Sequence, residues 1–435
     1  MVESKEVKTI EKFNSNYVLP NKFNYKKEIV AIVKLDDYES ENVKRALNSL
    51  IELLGIQDYF KGKKVLLKPN VLSGGKNVFT PPEIITSLIQ ILKEKGDVKE
   101  ILVGDSTLTS TITSRSLKSS KIKEMCESEE VSVLNFFKSE REKIRLVNPP
   151  HDAEEDIYLP KEVCEADLII NLPKLKTHSG FVYTGAIKNL FGMLGNKQKM
   201  HLIHNNKTNF QKMLADIYFA VEETNQTDKP KVLTVMDAVI AMEGKGPQFG
   251  KARKIGLMIA GFNSAAVDII GYTLMNGNPS DLEAINSLAR RTDLPVEISQ
   301  LELQGEKNYQ DYIIKNFKKP KIALLKKSGY SLKWLPTGIA KLLMRMSIKI
   351  NKKKCTLCEQ CVKHCPASAM TRKGDKILID DQKCIECYCC GEGCPNDAID
   401  AKWYLFRIMP YVIIAGIIGF SLILWIIISF IIGIF

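Results

Sequence analysis

Short apolar runs alternate with amphipathic stretches along the first three quarters of the chain. Glu28–Lys34, Lys64–Asn70, Glu100–Asp105, Val131–Asn135, Ala166–Asn171, Lys231–Asp237 and Lys254–Ile259 are rich in Val, Ile and Leu over strand-like lengths. Between them, apolar residues at helical period predict helices over Glu41–Leu54, Arg115–Cys126, Gly185–Leu194, Phe210–Glu223, Ser264–Met275 and Leu282–Arg291. Another helix is expected to open at Thr80-Pro-Pro-Glu83, with Thr80 as N-cap and Glu83 completing a capping box, and to run to Lys95 before Gly96. Strands alternating with helices of this length predict an α/β domain with a largely parallel sheet covered on both faces.

The pattern changes after residue 330. Ile339, Leu342, Leu343, Met346 and Ile350 fall near helical spacing in a stretch where Lys333, Lys341, Arg345, Lys349, Lys352, Lys353 and Lys354 have no acid among them. An amphipathic helix on a membrane surface, or packed on the α/β domain, is expected there. From Ile408 to Phe435 the chain has no charged residue, which exceeds the ~20 apolar residues that cross a bilayer and predicts one C-terminal transmembrane helix. The basic residues before it place the preceding domains in the cytoplasm. The divisions are thus a polar arm (1–26), the α/β domain (27–330), a basic linker (331–354), a cysteine-rich unit (355–402) and the span (408–435).

The net charge of +12 does not imply nucleic acid, because seven of those charges are the linker residues just named, where lipid headgroups are the simpler partner. Nine of eleven cysteines lie in the cysteine-rich unit, which argues for thiol chemistry in a reducing compartment rather than for a disulfide framework. The first residues carry no apolar signal segment.

The cysteines read Cys355-x2-Cys358-x2-Cys361-x3-Cys365-Pro366 and Cys384-x2-Cys387-x2-Cys390-x3-Cys394-Pro395. This doubled phrase wraps two [4Fe-4S] cubes, with the fourth cysteine of each half crossing to the other cube. Cys355, Cys358, Cys361 and Cys394 are expected to hold one, and Cys384, Cys387, Cys390 and Cys365 the other. Zinc knuckles share the C-x2-C spacing but have no use for the x2-x2-x3-Pro phrase. Cys389 is surplus and is expected to pack or support. The segment resembles the small α+β bacterial-type dicluster ferredoxin domain, and Lys376–Asp380 is a strand such a domain would have.

In the α/β domain, polar residues gather at the predicted strand ends, where open α/β sheets bind ligands. Lys68, Asn70, Lys174, Lys188, Asn189, Lys199 and His201 are candidate binders of an anionic substrate. His178, Lys176 and Asp105 are candidate catalytic groups, with His178 or Asp105 moving a proton. Glu243–Gly250 matches neither the dinucleotide nor the P-loop phrase. Leu67-Lys-Pro-Asn70, Asn171-Leu-Pro-Lys-Leu-Lys-Thr-His178, Thr184-Gly-Ala-Ile-Lys-Asn-Leu-Phe-Gly192, Lys199-Met-His201 and Asp237–Pro247 together resemble the family known as domain of unknown function 362, over roughly residues 28 to 290. Members are often joined to a dicluster ferredoxin segment, and the resemblance assigns no activity.

These features are read as a membrane-anchored iron–sulfur oxidoreductase that exchanges electrons with an anionic small molecule and with a donor or acceptor protein. Two other readings stay open: an electron-transfer subunit without turnover, and a non-redox enzyme with structural or sensing cubes.

Overall fold

The computed structural model describes residues 8–10, 28–72, 77–95, 97–144, 157–195, 197–204, 207–224, 230–290, 297–320 and 346–403, with Ser421 and Trp425. The α/β domain contains β1 (Lys8–Ile10), β2 (Glu28–Lys34), α1 (Ser40–Leu53), β3 (Lys64–Pro69), α2 (Pro82–Glu94), β4 (Glu100–Asp105), α3 (Ser110–Ser119), α4 (Ile122–Ser128), β5 (Ser132–Asn135), β6 (Arg141–Ile144) and β7 (Ile157–Pro160). It continues through α5 (Lys161–Glu165), β8 (Leu168–Leu172), β9 (Lys174–His178), β10 (Val182–Thr184), α6 (Ala186–Leu190), α7 (Lys197–Ile203) and α8 (Lys207–Glu223). Last come β11 (Val232–Glu243), β12 (Lys251–Gly261), α9 (Ser264–Leu274), α10 (Glu283–Ala289) and β13 (Leu301–Gly305).

Ten of these strands form one sheet in the order β13-β2-β12-β11-β8-β3-β4-β5, with β9 and β10 added beside β11. The run β11-β8-β3-β4-β5 is parallel, and β12 is antiparallel to both neighbours, so the sheet is largely parallel. Strand periodicity divides the core in two. Ile32, Leu66 and Ile169 point into one layer with α6, α8 and α9, while Val33, Val65, Leu67 and Ile170 point into the other with α1, α2 and α4. Covering both faces is why these strands read as near-continuous apolar runs. Each fully buried isoleucine, such as Ile85 and Ile89 of α2, contributes roughly 2 kcal/mol of hydrophobic stabilisation.

Several local expectations are corrected. Thr80 does not cap α2: its Oγ1 accepts from the Asn70 N–H at 2.8 Å and donates to the Leu172 carbonyl at 2.6 Å, tying the ends of β3 and β8 together. The helix predicted over Arg115–Cys126 is two helices, broken where Lys121 takes a left-handed φ of 62°. The arm contributes β1, which pairs in parallel with β6.

The cysteine-rich unit has β14 (Met346–Ile350), α11 (Gln360–Lys363), β15 (Met370–Lys373), β16 (Lys376–Ile379), α12 (Cys389–Glu392) and β17 (Ile399–Trp403). Met346–Ile350, expected at the end of an amphipathic helix, is instead a strand antiparallel to β17. The rest of the predicted linker helix and, apart from Ser421 and Trp425, the predicted span lie outside the described residues. Among those described, no helix is long and apolar enough to cross a membrane.

Candidate functional site

The carboxyl ends of β3, β4 and β8 deliver Lys68, Asp105 and Asn171 to one edge of the sheet. There the β9–β10 hairpin sets Thr184 directly opposite Lys176 and Val182 opposite His178, and α6 begins two residues later. Asp268 of α9 holds that start in place: its carboxylate accepts from Ala186 N (2.5 Å), Ile187 N (3.0 Å) and Tyr183 Oη (2.9 Å). Gly185 permits the approach, since a Cβ there would lie 2.1 Å from Asp268 Oδ1. Asn189 donates to Asn171 Oδ1 at 2.8 Å and accepts from Asn70 Nδ2 at 2.9 Å, so the asparagines of three segments interlock.

These elements enclose a cavity of about 80 Å³ lined by Asn70, Asp105, Thr184, Asn189 and the cations Lys176, Lys188 and Lys197. Its aromatic wall stacks Phe181 on Phe210 at 4.3 Å and Phe210 on His201 at 4.8 Å. Lys176 donates to Asn70 Oδ1 (2.6 Å) and the Val78 carbonyl (2.7 Å), and Lys197 to the carbonyls of Ser106 and Thr107. Burial among other cations pushes Lys176 down to about 7, and burial brings Lys197 to about 7 as well.

The remaining wall comes from the cysteine-rich unit. Glu392 of α12 lines the cavity and accepts from His178 Nε2 at 2.8 Å. His178 Nδ1 accepts two backbone N–H groups, from Gly180 (3.0 Å) and Phe181 (3.1 Å), so the hydrogen must sit on Nε2. His201 also faces this unit: its ring nitrogen and the sulfurs of Cys387 and Cys389 lie within 4.8 Å of one another. A second link is Lys245, which pairs with Asp397 and, at 2.7 Å, with Asp400.

The cysteines fit two cubes. Cys355, Cys358, Cys361 and Cys394 line one small cavity together, including the cysteine that crosses from the other half. Cys384 lies near Cys387 and Cys365, and Cys390 lies near all three and near Cys361 of the first set, as adjoining cubes require. The halves repeat in detail: left-handed φ values fall at Leu357, Glu359 and Ser368 and again at Glu386, Tyr388 and Asp397. Equivalent N–H groups reach the crossing sulfurs, Ala369 N to Cys365 Sγ at 3.2 Å and Ala398 N to Cys394 Sγ at 3.4 Å. Cys358 of the first set is exposed, and Cys387 of the second lies beside His201, so the second set is the one next to the lysine cavity.

Comparison with known proteins agrees with this division. Residues 65–273 match the domain of unknown function DUF362, and residues 347–395 match the 4Fe-4S dicluster domain. The chain carries both domains. It is 27% identical over 304 residues to the thylakoid-associated protein sll1697 of Synechocystis, covering 68% of this chain and 88% of that protein. The lactate racemase apoprotein of Thermoanaerobacterium thermosaccharolyticum matches at a TM-score of 0.36 and 14% identity, over 58% of each chain.

Within the DUF362 domain, Asn70, Asp105, Lys176, His178, Lys188, Asn189 and His201 all line the cavity. Other expectations change. Lys199 is exposed on α7, and Lys197, two residues earlier, occupies the place expected of it. Lys174 is buried in a pair with Asp237 (2.6 Å) and Tyr38 Oη (2.7 Å), away from the cavity. Lys68 is spent on Asp105 at 2.8 Å. Asp105 in turn accepts from Val71 N and Ser106 N, both at 2.7 Å, so three of its four lone-pair sites are occupied and one on Oδ2 is left. Burial and the nearby Lys188 hold His178 down at about 4, and both of its ring nitrogens are engaged, Nδ1 by Gly180 and Phe181 N–H and Nε2 by Glu392. Thr184, Lys197 and Glu392 were not singled out by the sequence. Glu392 reads there as a spacer between two cluster cysteines.

Proposed function

We propose that the chain is a membrane-anchored iron–sulfur oxidoreductase that exchanges electrons with an anionic substrate in the cavity between the DUF362 and dicluster domains. The observation that carries this reading is that one cavity is walled by both domains. Lys176, Lys188 and Lys197 come from one, Glu392 comes from the other, and His201 bridges to Cys387. When bound, the cubes supply single electrons at potentials set by sulfur hydrogen bonds and burial.

The chain's own residues would do the rest. Lys188 and Lys176 hold the anion, the aromatic wall excludes water, and Lys176, poised near pH 7, is the group suited to hand over a proton. His178 positions Glu392 and thereby closes the cavity. The cysteine set beside His201 is the one that faces substrate, and the set with the exposed Cys358 is the port for an external donor or acceptor protein. The uncharged run from Ile408 to Phe435 supports anchoring in a membrane, and a relative described as thylakoid-associated is consistent with that.

The test is anaerobic. Clusters of the detergent-purified chain are reduced chemically, and their reoxidation is followed by absorbance and electron paramagnetic resonance after addition of soluble metabolites or of membranes. Reoxidation by a soluble fraction, lost in Lys176→Ala, is expected. Reoxidation by membranes alone, unaffected by that substitution, would instead identify an electron-transfer subunit.

A further inference from the structure

The β9–β10 register and one turn of helix bring three donors into the cavity together, and α7 adds a fourth. Thr184 faces Lys176 across the hairpin, Lys188 follows Thr184 by four residues, and Lys197 lines the same space. Their hydrogen-bonding capacity is only partly used. Thr184 Oγ1 is buried, at 3% residue exposure, and has no partner among the described residues. Buried hydroxyls are almost always paired, so an orphan aimed into a cavity marks a place where a ligand atom belongs.

Lys188 makes no hydrogen bond or ion pair among the described residues; its ammonium sits 5.4 Å from the Phe181 ring. Lys176 and Lys197 each spend two of three N–H groups on neutral oxygens, which leaves one apiece. Carboxylates are scarce: Asp105 is consumed by Lys68, and Glu392 is shared with His178. With all three lysines protonated, the state that a bound anion favours, three cations face one free carboxylate and two positive charges remain for the ligand to balance.

We infer that this cavity binds a small oxyanion carrying two negative charges, a dicarboxylate or a phosphate- or sulfate-like group, with Thr184, Lys176, Lys188 and Lys197 as its ligands. The inference rests on the cavity being the substrate site, and it adds the charge and size of what enters. A monoanion would leave one buried cation unbalanced, whereas a dianion closes the count. At roughly 10–15 Å³ per water-sized occupant, about 80 Å³ admits about five to eight non-hydrogen atoms. Sulfate and malonate fall in that range.

The cluster-loaded full chain is titrated calorimetrically under anaerobic conditions with sulfate, malonate and acetate in a low-salt buffer. Sulfate or malonate is expected to bind at least ~10-fold more tightly than acetate. Lys188→Met is expected to weaken the dianion at least ~10-fold and Thr184→Val by several-fold, while Thr184→Ser retains it. Retained cluster absorbance and an unchanged melting temperature show that each variant is folded. Equal affinity for acetate would overturn the inference. So would undiminished dianion binding in Lys188→Met together with a shifted cluster midpoint potential, because the lysines would then be counter-charges to the dicluster domain. Intact dianion binding with no substrate-dependent reoxidation would sink the oxidoreductase reading and leave the site standing.

Discussion

Replacing Lys68 by methionine removes the ammonium that neutralises Asp105 at the end of β4. The pair is 2.8 Å apart, with side-chain exposures of 0% and 2%, so the abandoned carboxylate cannot turn to solvent. Breaking a buried pair by removing one partner costs about 3–5 kcal/mol. Asp105 keeps the Val71 and Ser106 N–H groups and the nearby Lys197, which places the loss toward ~3 kcal/mol. For a domain of about 300 residues that corresponds to a fall in melting temperature of roughly 5 °C. Far-UV circular dichroism on the anaerobic, cluster-loaded protein at one fixed scan rate measures it. Adding Asp105→Asn removes the stranded charge while keeping an acceptor for one N–H, so the double variant is expected to recover ~1–2 kcal/mol of the loss. The reasoning is refuted if Lys68→Met melts within ~2 °C of the parent, or if the two losses simply add.

Other outcomes follow from the same geometry. Burial gives Lys176 a lower value in the fold, about 7, than its ordinary 10.5, so between those limits the unfolded chain binds more protons and stability rises with pH; melts at pH 7 and 9 are expected to show that rise, and Lys176→Met to diminish it. Gly185→Ala drives a Cβ to 2.1 Å from Asp268 Oδ1, so it is expected to disorder the start of α6 and abolish anion binding by calorimetry while the cluster spectrum persists. Cys389→Ala is expected to retain about eight irons per chain by colorimetric assay, and Cys387→Ala about half of that; equal iron loss in both would place Cys389 among the ligands.

The parts of the molecule that were legible in the sequence are those fixed by near neighbours. The cysteine phrase is local, and the split φ pattern of its two halves follows from it. The strands announce themselves because both faces are buried. Lys197 and Lys199 differ only in the phase of a short helix, which no spacing rule resolves to one residue. Met346, Ile348 and Ile350 satisfy helical and alternating patterns alike, and pairing with β17, some fifty residues away, decides for a strand. The same holds for Thr80, whose partners lie on two neighbouring strands, and for Glu392, which meets His178 across 214 positions. Each is a long-range contact that overrides a local preference.

The roof of the cavity belongs to the iron-binding unit, joined below through Glu392 to His178 and through Asp397 and Asp400 to Lys245. If the pocket holds the proposed anion, its occupancy and that of the metal loops are thermodynamically coupled through these contacts. A chain lacking iron would then have a less ordered lid and hold the anion less well, and a seated anion would lend its binding energy to keeping the iron in. By that reciprocity, a cell short of iron would silence this protein at the level of ligand capture, before any electron moves.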